Sequence, residues 1–316
     1  DEAMDLLGPD PKTVAKQSAA NARRAAEEQY AKDTLAATGL GQGIVSSQML
    51  LDQMNGDDGE LTAQRAAADR EWTYGHIVVD EAQELTAMDW RMLIRRCPSR
   101  SFTIVGDVAQ TSALAGTRRW DKTMNRLFGE GHWDLNELTI NYRNPQEVSD
   151  LASRFAQNEG LYISTVNAVR ALPDSVSRHV VDDMKALLTV TSNQAAQLAN
   201  HFVSADGTGR IAIICPNDLI KPVREAVRHR LSSLMAPSEY QRLIDQPEWD
   251  EQISVCGTEM VKGLEFDAVI VIEPGRIEDD APSRLVAASD LYVATTRPTQ
   301  KLVIVRTKED ERSLNI

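Results

Sequence analysis

Five short apolar runs between residues 76 and 306 constrain the fold of this chain more than any other feature. The runs are HIVVD (76–80), SFTIVGD (101–107), RIAIICP (210–216), DAVIVIE (267–273) and KLVIVR (301–306). Each is continuously apolar, which is the pattern of strands buried on both faces of a parallel sheet. Helical stretches separate the runs, namely LTAMDWRMLIRRC, NPQEVSDLASRFAQ, NQAAQLANHFV, DLIKPVREAVRHRLSSLM and PSRLVAASDLYVATTR. This alternation predicts an α/β fold in which helices wrap parallel sheets.

The first 75 residues have a different composition. They are rich in Ala, Gln, Arg and Glu and contain few large apolar side chains, as in TVAKQSAANARRAAEEQYAKDTLAA at residues 13–37. Such a composition favours helix without supplying a core of its own. A second boundary is expected near residue 145, where the texture becomes irregular around Pro145 and Pro173. We therefore predict a helical arm or insertion over 1–75, followed by segments 76–145 and 146–316.

Charge, cysteine content and hydropathy exclude several classes of protein. The chain carries 34 basic and 47 acidic residues, a net charge of −13, so its averaged field repels phosphate backbones. The three cysteines are odd in number and stand beside apolar runs, which suits reduced core thiols better than disulfides or zinc ligands. No apolar span of membrane length and no signal-peptide pattern is present. We expect a cytoplasmic protein that does not enter a membrane.

Two adjacent carboxylates, Asp80 and Glu81, end the first apolar run. Ligands of open α/β sheets bind at the carboxyl ends of the strands. An apolar strand that ends in Asp-Glu has the Walker B form, in which the aspartate holds a magnesium ion on nucleotide phosphates and the glutamate activates water. The alternative interpretation is that acidic residues simply begin the next helix, where the helix dipole favours them.

Four further segments in a fixed order favour the nucleotide interpretation. GDVAQ places Asp107 and Gln110 after the second apolar run, and NYR places Arg143 at the expected boundary. KGLEFD precedes another run, and LYVATTR places Arg297 at the end of a helix. Each arginine taken singly could be an exposed charge without a partner. Two arginines reaching a nucleotide would instead stabilise charge on the transferring phosphoryl group.

Taken together, VVDEAQE, GDVAQ, NYR, KGLEFD and LYVATTR resemble motifs II to VI of superfamily 1 helicases of the UvrD and Rep type. The resemblance covers about residues 76–306. It implies the C-terminal part of one RecA-like domain at 76–145, a complete second one at 146–316, and ATP with Mg²⁺ in the cleft between them.

The resemblance also implies a role for each matching residue. Asp80 would be the magnesium ligand, Glu81 the catalytic base, Gln110 the γ-phosphate sensor, Arg143 and Arg297 the arginine fingers, and Asp107, Gly263 and Glu265 part of the nucleotide-binding loops.

Within that superfamily, residues 69–116 are similar in detail to the HelD-type ATPases of actinobacteria. The stretch reads DREWTYGHIVVDEAQELTAMDWRMLIRRCPSRSFTIVGDVAQTSALAG. The resemblance implies binding to the RNA polymerase core, with ATP hydrolysis coupled to nucleic-acid release and recycling of the polymerase.

The sequence departs from the family pattern in two respects. No G-x-x-x-x-G-K-[ST] phosphate loop occurs, so we expect these 316 residues to be inactive alone and the missing half of the ATP site to lie upstream of Asp1. No aromatic residue follows Gln110 before Trp120, and Gly257 and Glu259 occupy positions that are usually Thr and His. Loss of base stacking should weaken the hold on single-stranded DNA. We therefore expect weak DNA contacts at most, without processive unwinding.

Two other functions stay open at this stage. One is an ATP-dependent DNA helicase or translocase of the repair type, which single-stranded DNA should stimulate strongly. The other is a non-catalytic binding module in which a RecA-like fold survives as a scaffold.

Overall fold

The computed structural model describes residues 72–204, 206–246 and 251–310, together with Ser18, Ala22 and Gln29. Almost all of the predicted helical segment 1–75 therefore lies outside the described residues. The chain divides into two compact units, the first made of Asp1–Ile77 and Met88–Phe102 and the second of Val78–Ala87 and Thr103–Ile316. The segment boundaries expected near 75 and 145 stay predictions.

Strands and α-helices are interspersed along the described part of the chain. Within the described ranges the strands are β1 (Ile77–Val79), β2 (Phe102–Ile104), β3 (Ile140–Pro145), β4 (Asn167–Arg170), β5 (Val176–Val181), β6 (Ile211–Ile214), β7 (Ile253–Cys256), β8 (Phe266–Ile272) and β9 (Pro298–Thr307). In the same ranges the α-helices are α1 (Ala87–Arg96), α2 (Trp120–Phe128), α3 (Gln146–Asn158), α4 (Met184–Phe202), α5 (Ile220–Leu234), α6 (Pro237–Ile244), α7 (Pro274–Asp280) and α8 (Arg284–Thr296).

One sheet of five parallel strands dominates the second unit. Its strand order is β5-β9-β8-β6-β7, and every neighbouring pair runs in parallel. The predicted α/β class, with a parallel sheet wrapped by helices, is confirmed. Two smaller sheets pair β1 with β2 and β3 with β4.

The central strands of this sheet are buried on both faces, as their continuous apolar runs predict. All four residues of β6 are buried. Ile211 and Ile213 pack into a cluster with residues of α4 and α5, whereas Ala212 and Ile214 pack into a second cluster with residues of α3 and α8. Successive side chains of a strand point to opposite faces, so one short run supplies both cores.

The first two apolar runs differ from this expectation. Val78 on β1 is 68% exposed and Val105, just after β2, is 49% exposed. Within the described residues β1 and β2 form a sheet of only two strands, and the exposure of Val78 and Val105 shows that the described residues do not cover these side chains.

The cysteines occupy the apolar positions that their surroundings predict. Cys97 and Cys215 are buried free thiols, and Cys256 is a partly buried one. Burial raises the pKa of Cys215 to about 12 and that of Cys256 to about 11, which keeps both as thiols at neutral pH. None of the helices in the described part of the chain is long and apolar enough to span a membrane.

Candidate active site

The turn after β1 places the two adjacent carboxylates at the surface. Asp80 and Glu81 are both exposed, and Asp80 Oδ1 accepts a hydrogen bond from the Glu81 amide at 2.9 Å. Glu81 adopts a left-handed backbone (φ 49°, ψ 36°) where the strand turns into the 3₁₀ turn Ala82–Glu84. Non-glycine residues rarely take this conformation, and those that do concentrate at functional sites. The backbone at Glu81 is therefore strained, and this strained conformation sets the direction of the Glu81 side chain.

Gln83 holds this turn in place, although it was not among the residues predicted from the sequence. Its side chain is 1% exposed. Its Nε2 donates to Glu81 Oε2 at 2.7 Å, and its Oε1 accepts from the Asp107 amide at 3.1 Å. One buried amide side chain thus joins the two strand ends that carry the predicted site. A polar residue two positions past a carboxylate pair, with a glycine before Asp107 in the facing loop, is the signal that could have identified it.

Gly106 leaves the space that Gln83 occupies. A Cβ atom at Gly106 would lie 2.4 Å from Gln83 Oε1 and 3.1 Å from the Ala82 amide nitrogen. We expect Gly106→Ala to lower the free energy of unfolding by about 1–3 kcal/mol, because the buried amide must shift and lose hydrogen bonds. Urea unfolding of the complete protein measures this. The control is Gly75→Ala, where nothing lies within 4 Å of the added Cβ, and equal midpoints for the two variants would refute the packing argument.

Asp107, Gln110 and Arg297 form a continuous chain of hydrogen bonds. Asp107 Oδ1 accepts from the Ala109 amide at 3.0 Å, and its Oδ2 accepts from Gln110 Nε2 at 2.9 Å. Arg297 Nη2 then donates to Gln110 Oε1 at 2.5 Å. These residues come from the loop after β2 and from the end of α8, so the fold brings together groups 187 positions apart in sequence.

The Arg297 guanidinium is 3% exposed. It also donates to the carbonyl oxygens of Val293 and Leu264, each at 3.3 Å. Burial lowers its pKa, and the charge of Arg143 acts in the same direction, whereas Glu81, Glu265 and Asp107 oppose the shift. Four charged residues of the predicted site therefore lie close enough to Arg297 for their charges to act on it, namely Glu81, Asp107, Arg143 and Glu265.

Two of these charged residues, Arg143 and Glu265, form an ion pair. Arg143 Nη2 lies 2.5 Å from Glu265 Oε1, and their side chains are 41% and 50% exposed. Gly263, in the same loop as Glu265, has a left-handed φ of 69° and open space around it, so the backbone conformation is what favours glycine there. Both predicted arginine fingers thus already have partners within the chain.

Asn144 fixes the position of Arg143 relative to Arg297. Its side chain is 4% exposed, and its Nδ2 donates to the carbonyl oxygens of Thr296 and Pro298, each at 2.8 Å. These two carbonyls flank Arg297 in the chain. A single buried amide therefore attaches the NYR segment on both sides of the second arginine.

We expect Asn144→Ala to lower the free energy of unfolding by about 2 kcal/mol, since two backbone acceptors lose their donor. It should also slow any reaction that needs both arginines. Asn167→Ala, on the exposed edge of β4, is the matched control and should unfold at the parent's urea midpoint. An Asn144→Ala midpoint equal to that of Asn167→Ala would contradict this role.

The carboxylates fit a magnesium ion that binds together with a nucleotide. Among the described residues, no group of three or more His, Cys, Asp or Glu side chains could hold a metal ion by itself. Magnesium in nucleotide sites is usually bound by one or two carboxylates together with phosphates and water. The exposed Asp80 carboxylate would supply one such oxygen, and the ion would neutralise phosphate charge there.

Comparison with known proteins finds similarity among solved structures. No protein-family model matches the chain, and no curated protein is significantly similar to it. Among solved structures, the C-terminal domain of a possible DNA helicase from Lactobacillus plantarum aligns with 53% of this chain and 88% of its own length, at 18% identity and a TM-score of 0.37.

Proposed function

We propose that this chain is part of a helicase-like ATPase of superfamily 1 and that its second unit carries the hydrolytic residues of the ATP site. The observation that supports this most is the contact between Arg297 and Gln110, which joins the end of α8 to the loop after β2. A guanidinium and an amide that converge beside two exposed carboxylates suit the terminal phosphate of a nucleotide and the water that attacks it.

Each group has a defined part in the proposed reaction. Asp80 would hold the magnesium ion, and Glu81 would take a proton from the attacking water. Gln110 would contact the γ-phosphate, and Arg143 and Arg297 would stabilise the charge that develops there. Asp107 would orient Gln110 through their hydrogen bond. Gly263 and Glu265 would shape the loop beside the sugar.

Both arginines already have partners within the chain, and a nucleotide would have to displace those partners. Gln110 satisfies Arg297, and Glu265 satisfies Arg143. A phosphate oxygen carries negative charge and an amide oxygen does not, so phosphate is the stronger acceptor for the Arg297 guanidinium. The proposed site therefore exchanges internal contacts for contacts to the substrate.

We further propose that the partner of the complete protein is the RNA polymerase core, as in HelD-type factors. The similarity of residues 69–116 supports this, and the net charge of −13 suits a protein surface better than a nucleic-acid backbone. The proposed role is to couple ATP hydrolysis to nucleic-acid release and polymerase recycling.

Two assays on the complete protein test the two parts separately. ATP hydrolysis with magnesium present tests the enzyme, and co-purification with core polymerase at moderate salt tests the partner. Duplex unwinding together with strong stimulation of the ATPase by single-stranded DNA would favour a repair-type helicase instead. A protein that neither binds nor hydrolyses ATP would be a binding module.

A further inference from the structure

A second polar cluster packs behind Gln110 and has no part in the roles proposed above. It consists of Glu84 from the turn after β1, Ser112 from the loop after β2, Lys262 from the loop before β8, and Asp290 from α8. All four belong to the second unit. Glu84 and Asp290 hydrogen-bond to the short loop that carries Gln110 and Ser112, and Lys262 pairs with Glu84.

The Glu84 carboxylate holds the backbone of that loop. Its Oε1 accepts from the Ser112 amide and its Oε2 accepts from the Ala113 amide, each at 3.0 Å. Lys262 Nζ lies 3.6 Å from Glu84 Oε1 and balances its charge. The loop immediately after Gln110 is thus fixed by its main chain.

Asp290 holds the same loop through a side chain. The Ser112 hydroxyl donates to Asp290 Oδ1, and Asp290 is only 8% exposed. A buried carboxylate is costly unless it is paired. Burial raises the pKa of the Asp290 carboxyl, and the hydrogen bond from Ser112 and the charge of Lys262 oppose that shift.

The last part of α8 and its end contact this loop through two residues. Asp290 and Arg297 are seven residues apart, which is two helical turns, so they lie on the same side of α8 and its end. Their partners, Ser112 and Gln110, are two residues apart in one loop. The end of α8 therefore meets the loop at two points, Asp290 with Ser112 and Arg297 with Gln110. Fixing the first pair sets the position of the second.

We propose that Asp290 is a positioning residue for the ATP site, which through Ser112 locks α8 to the loop and so holds Arg297 and Gln110 in register. This inference rests on the proposed function. It is a role in turnover, not in nucleotide binding, because none of the atoms in this cluster belongs to the groups assigned to phosphate.

The test measures turnover and loop protection in the complete protein. Asp290→Ala and Ser112→Ala should each lower kcat about 10-fold at unchanged KM for ATP, because a small misplacement of catalytic groups is expensive. The double variant should be no slower than the slower single variant, since both substitutions break one contact. Asp290→Asn keeps an acceptor for the Ser112 hydroxyl and should restore most of kcat.

The control and a second readout keep the outcomes separate. Ser289 is fully buried, and its hydroxyl has no hydrogen-bond partner among the described residues, so Ser289→Ala should match the parent in kcat. Hydrogen exchange at the Ser112 and Ala113 amides should speed up in Asp290→Ala and not in Ser289→Ala. A parent that hydrolyses ATP, with Asp290→Ala equal to it in kcat and exchange, would overturn this inference alone. An inactive parent would overturn the proposed function, and exchange would then decide whether Asp290 holds the loop.

Discussion

Replacing Glu81 by glutamine should reduce ATP turnover by about 10²- to 10⁴-fold while ATP still binds. Glutamine has nearly the same shape, and its amide oxygen can still accept from Gln83 Nε2, which lies 2.7 Å from Glu81 Oε2. What it lacks is the ability to take a proton from the attacking water. Steady-state hydrolysis and equilibrium ATP binding by the complete protein measure the two effects separately.

The control for Glu81→Gln is Glu239→Gln, which makes the same chemical change at an exposed position of α6. It should hydrolyse ATP at the parent's rate. If Glu81→Gln also matched the parent's rate, Glu81 would not be the base, and the assignment of the exposed carboxylate pair would fail.

Replacing Arg297 by alanine should lower kcat about 10³-fold, the usual scale for an arginine finger. Arg297→Lys should recover little of this, because an ammonium cannot reproduce the planar fork that reaches Gln110, Val293 and Leu264 together. The lysine variant also separates catalysis from folding, since it keeps a charge and a long stem at this buried position. Comparison of kcat, KM and urea midpoint for both variants makes the distinction.

Arg284→Ala is the matched control for Arg297, because Arg284 begins the same helix and its side chain is 83% exposed in its pair with Glu159. Exposed pairs contribute little to stability. An Arg297→Ala protein with the kcat of Arg284→Ala would show that the buried guanidinium serves packing only.

The strands that the sequence identified correctly in the large sheet are its central ones. The runs in β6, β8 and β9 are continuous because these strands have neighbours on both sides and helices on both faces. The two outer strands, β5 and β7, were not predicted. β5 reads VSRHVV and alternates between partly buried and exposed positions, so it carries no continuous apolar run. An outer strand has one neighbour instead of two, which relaxes the demand for apolar residues.

The candidate site residues that the sequence suggested lie in short motif segments, and their roles stay predictions. The exposed carboxylates follow β1, Arg143 lies within β3 and Arg297 ends α8, and the short motifs around them make them visible in the sequence. Asn144 and Asp290 were not identified, because each bonds to a partner that the local sequence does not specify. Asn144, for example, binds carbonyl groups 152 and 154 residues away. Such contacts follow from packing and only the three-dimensional structure displays them.

The most direct test of the central claim is a crystal structure of the complete protein with ADP, Mg²⁺ and aluminium fluoride. We predict that Arg143, Arg297 and Gln110 lie within about 3 Å of the fluoride group that mimics the transferring phosphoryl, with Asp80 next to the magnesium ion and Glu81 next to the attacking water. The proposed ATP site would be contradicted if the nucleotide bound elsewhere and Arg297 still donated only to Gln110, Val293 and Leu264.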